Sequence, residues 1–192
     1  MPIRNMILAG LFAALIAISS QVSIVLPPSP VPHTLQVPFV LLAGLVLGGR
    51  WGAVSVLVWV LLGVFGLPVF AQGKAGAAVL LGPTGGFLFG FMVCAYLVGR
   101  LTERAADGVS RTFAFMMLGL LVAYAIGMLG FMANFTFFLN KPMTWEKAAM
   151  LTVAPFLPYD IVKTVIAAYV GARVKRALAR AGYILTVEHK SR

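Results

Sequence analysis

Apolar runs separated by short polar, glycine-rich or proline-rich breaks dominate the chain. Six can be marked: Ile7–Leu26, Pro38–Gly48, Trp51–Leu67, Thr84–Leu101, Thr112–Phe131 and Pro158–Val174. Nothing in the breaks or the runs supports a strand, and the runs predict helices. A helix that crosses a hydrocarbon layer needs about 20 residues. The second run is too short alone, so it must borrow from its flanks, bend, or be shielded by its neighbours.

Composition says which solvent these helices meet. Of 192 residues, 61% are hydrophobic and 10% are charged, whereas soluble domains are about half apolar and a quarter charged. A chain this size has no interior large enough to hide that surface from water, so its solvent is a bilayer. The expectation is an all-α integral membrane protein with six transmembrane helices, long outer loops and one membrane domain over residues 1–192. Arg4 before an apolar run imitates a signal peptide, but losing that run would leave five spans, so the run is read as a retained span.

The net charge of +10 would suggest nucleic acid in a soluble protein. Here the basic residues sit at the ends of apolar runs, which is how membrane orientation is encoded, and no nucleic-acid partner is expected. One side collects Arg4, Arg50, Arg100, Arg104, Arg111, Arg173, Lys175, Arg176, Arg180, Lys190 and Arg192; the other holds only Lys74, Lys141 and Lys147. The positive-inside rule then places both termini in the cytoplasm.

The outer connections carry the elaboration. The first, LPPSPVPHTLQVP, is too rich in proline to be helical. The second, GLPVFAQGKAGAAVLLGP, is long and rich in Gly and Ala. The inner LGGRWG is a tight connection, and RLTERAADGVSR reads as charged surface. No Walker loop is present: Gly73-Lys74 is followed by Ala75, and no strand precedes it, so the chain itself does not hydrolyse ATP. Gly82, Gly86 and Gly90, four apart, suit a helix-packing face, as do Gly44 and Gly48. Pro83 suits a first helical turn, and Thr84 with the free N–H groups beside it could form a pocket rim. Gly73, Gly82 and Thr84 are therefore candidate binding residues.

Of five acidic residues, only Asp160 falls within an apolar run, three positions before Lys163. On a helix the two share a face, with the acid toward the N-terminus where dipole and pairing both favour it. Thirteen residues separate Asp160 from Arg173, about 20 Å of helix, which places the pair about two-thirds of the way to the outside. Intramembrane charges are expensive and mark function by default; the pair reads either as a self-neutralising lock or as a polar floor beneath an outward pocket. Tyr96, Asn134, Tyr124 and Tyr159 are further polar candidates, and Gln36, Phe39 and Trp59 candidates for a wall or lid. No nucleophile–base set, metal cluster or enzyme signature emerges. Ala9, Ala13 and Ala17 give the first helix a small-residue face, for packing within the chain or for docking a membrane partner.

Taken together, GLPVFAQGKAGAAVLLGPTGGFLFGF (66–91), LPYDIVKTVIAA (157–168), the proline-rich loop and VPFVLLAGLVLGGRWGA resemble the BioY family, the biotin-binding S components of energy-coupling factor (ECF) transporters. The resemblance implies six helices and a multi-pass protein of a bacterial or archaeal cytoplasmic membrane. It implies biotin captured from outside in a pocket roofed by the first and third loops and lined by Asp160 and Lys163. On this reading Asp160 accepts from the ureido N–H groups. Lys163 donates to the ureido oxygen or neutralises Asp160, and Lys74 is a candidate for the valerate carboxylate. The resemblance also implies that Ala9 and Ala13 contact a transmembrane coupling subunit, with ATP hydrolysis confined to two partner ATPase subunits and no cofactor bound by this chain. The alternatives are a self-sufficient secondary transporter with Asp160 carrying a proton, and an S component for another small vitamin.

Overall fold

The structure, a computed structural model, describes residues 2–103 and 108–181. Arg104, Asp107, Glu188, His189, Lys190 and Arg192 lie outside the described residues. The helices are α1 (Pro2–Gln21), α2 (Gln36–Val64), α3 (Gly85–Glu103), α4 (Val109–Ala133), α5 (Trp145–Thr152) and α6 (Leu157–Arg180). Four are long and apolar enough to cross a membrane, and α5 with α6, bent by 50° across a short break, makes a fifth such unit. Between α1 and α2 two minimal strands, β1 (Ser23–Ile24) and β2 (His33–Thr34), pair antiparallel with Ser23 opposite Thr34. The first apolar run thus yields its last residues to this hairpin. The last run extends beyond Val174, because Lys and Arg are good helix formers.

α2 is two limbs rather than one rod. Gly48 takes φ 79° and ψ 172°, which no helix accommodates. Eight residues along a straight helix span about 12 Å, yet a Cβ added to Gly52 would lie 2.7 Å from the Gly44 Cα. The chain therefore reverses at Gly48, and limbs 36–47 and 49–64 pack back to back. This resolves the short second run: it borrows from its N-terminal flank and is shielded by its own continuation. Glu103, read from sequence as ordinary surface, holds the reversal by accepting the Gly49 N–H at 2.8 Å, as an acid at a helix start should.

Small residues bring the helices together. Gly86 of α3 meets Gly130 of α4 backbone to backbone, Gly90 lies on the Ala123 carbonyl, and Gly44 lies on the Ala95 carbonyl. Packing of this kind replaces the hydrophobic drive that lipid does not supply. Gly82 takes no part in it and instead ends a 3₁₀ turn, Ala77–Leu81, donating its N–H to Val79. Ala9 and Ala13 are buried, at 2% and 1% exposure, and Ala17 packs partly covered on the same core. In the single chain these alanines pack against the rest of the bundle. At the end of the bundle that carries Gly48 and Glu103, Lys175 donates to the Thr102 carbonyl at 3.0 Å and ties α6 to α3.

Candidate functional site

At the opposite end, a cavity with about 720 Å³ of empty space, its mouth included, lies between the β1–β2 loop, both limbs of α2, the 65–84 connection, α3, α4 and α6. That size suits a small organic ligand. Its floor is ionic. Asp160 sits in the first turn of α6, 3% exposed. Lys163 Nζ donates to Asp160 Oδ1 at 2.9 Å, and Tyr124 donates its hydroxyl to Oδ2 at 2.6 Å. Lys163 also donates to the Thr34 carbonyl at 2.8 Å, so one ammonium neutralises the buried acid and fastens the first loop to α6. Buried charges persist only when paired and hydrogen-bonded in this way. Each carboxylate oxygen retains a second lone pair, so Asp160 can still accept from a ligand.

The walls are aromatic and aliphatic. Trp59, fully buried, donates its indole N–H to the Val69 carbonyl at 2.9 Å and meets the Phe70 ring edge-on at 5.4 Å. Ser20 at the end of α1 donates to the same Val69 carbonyl at 2.6 Å, and Gln21 donates to the Phe70 carbonyl at 3.2 Å. Phe70 lies directly against Gly63, where a Cβ would strike the ring. The long connection is thus fixed onto α1 and α2. Its tip turns sharply, with Gln72 at φ 63° and Gly73 at φ 67°, and delivers the exposed Lys74 to the rim of the cavity.

Of the residues singled out from sequence, Asp160, Lys74, Thr84 and Gln36 line the cavity, as do Trp59 and Tyr124. Lys163 stands behind Asp160 rather than at the surface of the cavity. Gly73 shapes the turn beside Lys74 through its positive φ, which glycine adopts freely. Asn134 opens a π-helical turn (Asn134–Phe138) and donates to the Leu81 carbonyl; it braces the loop from outside. Phe39 packs against the core. Tyr96 lies away from the cavity: its carbonyl is beside Gly49 at the far end of the bundle, and the residue is 42% exposed. Tyr159 is also turned outward, its ring edge on His33 at 5.6 Å. Sequence reasoning missed Phe70, Phe87, Phe91 and Phe156 in the lining; aromatic residues within apolar runs carry no local mark that separates a pocket wall from a lipid-facing surface.

His33, in the first loop, stacks on Phe156 at 3.9 Å with the rings nearly parallel. Burial holds its pKa below the usual histidine value; the positive charge of Lys163 adds to this and Asp160 opposes it. The imidazole is kept neutral beside an ammonium it would otherwise repel.

A polytopic helical bundle that closes one end around a ligand-sized, ion-floored cavity is the architecture of a membrane solute-binding protein. Comparison with known proteins narrows the class. The BioY family profile matches residues 1–180. A biotin transporter BioY of Thermotoga maritima is 43% identical over 90% of this chain and 96% of its own length. A probable biotin transporter BioY of Pyrococcus horikoshii is 39% identical over 91% of this chain and 98% of its own. The chain belongs to the BioY family. A crystal structure of the S component for biotin from an ECF-type ABC transporter superposes with a TM-score of 0.81 over 91% of this chain and 92% of that one, at 24% identity; the fold is shared.

Proposed function

We propose that this chain binds biotin in the cavity above Asp160 and admits it across the cytoplasmic membrane, as the S component of an ECF-type transporter. The observation that carries the reading is the Asp160 carboxylate, fixed by Tyr124 and Lys163, at the foot of an aromatic-walled cavity. Biotin matches this arrangement group by group. Its ureido N–H groups are donors for the open lone pairs of Asp160. Its fused rings are apolar and suit the Trp59 and Phe70 wall. Its valerate carboxylate suits Lys74 at the rim. Lys163, already committed to Asp160 and to the Thr34 carbonyl, acts as neutraliser and loop anchor.

Counting each α2 limb separately and α5–α6 as one unit, the chain crosses the bilayer six times. The Lys- and Arg-rich end then faces the cytoplasm, with both termini, and the cavity opens outward. No nucleotide-binding motif occurs in the sequence, so energised uptake draws on a membrane coupling subunit and two ATPase subunits. Relatives named as biotin transporters support biotin over another vitamin. Uptake of labelled biotin by vesicles holding the chain alone, and then the chain with an ECF module, tests the partnership. Stimulation by ATP only in the second case is the expected outcome; proton-gradient-driven uptake by the chain alone would favour the self-sufficient carrier.

A further inference from the structure

No described residue of α1 lines the cavity, yet its last turn grips the segment of chain that forms the wall. Ser20 is fully buried, and its hydroxyl lies 2.6 Å from the Val69 carbonyl. Gln21 reaches further along the same connection. Its Nε2 lies 3.2 Å from the Pro68 carbonyl and 3.2 Å from the Phe70 carbonyl, with the Ala17 carbonyl at 3.4 Å and the Ser20 hydroxyl at 2.9 Å. Three of these four neighbours are carbonyls, which only accept, so the amide nitrogen rather than its oxygen must face them.

What this grip holds is the stretch that meets the ligand. Phe70 and Lys74 both line the cavity, and the Phe70 N–H donates to the Lys74 carbonyl at 3.1 Å, closing the 70–74 turn on itself. Inside that turn Gln72 sits at φ 63°, a conformation that residues other than glycine adopt at a cost, so the turn depends on contacts from outside. On its far side the Gly76 N–H donates to the Gly63 carbonyl at 2.7 Å; on its near side Trp59, Ser20 and Gln21 converge on residues 68–70. The same end of α1 also launches the first loop, where Ser23 pairs with Thr34, another lining residue. We propose that Ser20 and Gln21 are positioning residues: from outside the cavity they set the Phe70 wall and the Lys74 rim, and so slow the escape of the ligand. The ligand part of this rests on the reading of the cavity as a biotin site.

The test uses the purified full chain in detergent as wild type, Gln21→Leu, and Gln21→Leu combined with Ser20→Ala. Hydrogen exchange across residues 66–76 is followed without ligand, release of tritiated biotin is timed against an excess of unlabelled biotin, and affinities for biotin and biotin methyl ester are compared by calorimetry. Gln21 is exposed, so its replacement should leave the fold intact. Exchange in the 66–76 segment and release of biotin should each quicken by about tenfold, the scale of one or two lost hydrogen bonds. The preference for biotin over its ester, which lacks the carboxylate, should fall by at least about threefold, because Lys74 is no longer held at the rim. If the double variant does not fold, Gln21→Leu decides alone. Unchanged exchange, release and ester preference in folded variants would overturn the positioning role and leave the biotin site standing, and so would a lowered melting temperature with release and ester preference unchanged. No biotin binding by folded wild type would overturn the biotin reading, and hydrogen exchange would then decide whether Ser20 and Gln21 hold the turn.

Discussion

Replacing Lys163 with alanine is the most informative single perturbation of the site. Lys163 makes two contacts that nothing else described duplicates: 2.9 Å to Asp160 Oδ1 and 2.8 Å to the Thr34 carbonyl. Its removal leaves a carboxylate that is 4% exposed without its counter-charge and takes away the hydrogen bond that ties the first loop to α6, leaving the His33 ring contacts. Deleting one partner of a buried ion pair typically costs about 3–5 kcal/mol. The Lys163 side chain keeps 17% of its surface in contact with the surroundings, so the lower end, about 3 kcal/mol, is appropriate. If that loss falls on the ligand-competent arrangement, biotin Kd rises by about two decades. Calorimetry on the purified variant measures it, with thermal unfolding in parallel. A companion, Asp160→Asn with Lys163→Met, removes both charges and should regain much of the stability without regaining binding, which separates charge burial from ligand recognition. A Lys163→Ala Kd within about threefold of wild type would mean that neither the ionic floor nor the loop anchor bears on the ligand.

Other outcomes follow from the same geometry. Ala13→Leu overfills a buried position on α1 (1% exposed) and should lower thermal stability, by about 1–3 kcal/mol, whereas Gly10→Ala meets open space inside the same helix and should hold or raise the melting temperature, because alanine is the better helix former by up to about 1 kcal/mol. Gly63→Ala should push Phe70 off the Trp59 wall and weaken biotin binding more than it weakens the fold; intrinsic tryptophan fluorescence and titration would report the two effects separately. The pKa of His33 is held below 6.5 in the folded protein, so the unfolded or loop-open state binds the proton first. The loop contribution is then complete above about pH 6.5 and is lost as pH falls below that value. Biotin affinity should decline on acidification across that window, and His33→Phe, which keeps the stack on Phe156, should flatten the profile.

The parts of this protein that were readable from sequence are those where a rare residue breaks a uniform background. Asp160 and Lys163 stand out because acids within apolar runs are scarce, and their three-residue spacing specifies the pair seen on α6. The proline-rich and Gly-rich connections announce non-helical structure, and Gly86 and Gly90 announce a close helix contact that Gly130 and Ala123 complete. What was hidden depends on which elements meet in space. The Tyr124–Asp160 bond joins residues 36 apart, and nothing local marks Tyr124 over Tyr96, which the helix register turns outward. Gln36 was visible as a candidate wall, and it lines the cavity with its side chain on the Thr34 hydroxyl. The alanines of α1 had two readings from sequence, packing within the chain and docking of a partner; their burial in the single chain supplies the packing and leaves the docking to be tested.

The most direct test is a biotin titration on the purified chain with no other subunit present, repeated on Asp160→Asn. Wild type should bind biotin one to one and saturably, and Asp160→Asn should lose about two decades or more of affinity, with both proteins folded. Undiminished affinity in Asp160→Asn, or no binding by a well-folded wild type, would contradict the claim that this cavity and its carboxylate floor are the biotin site.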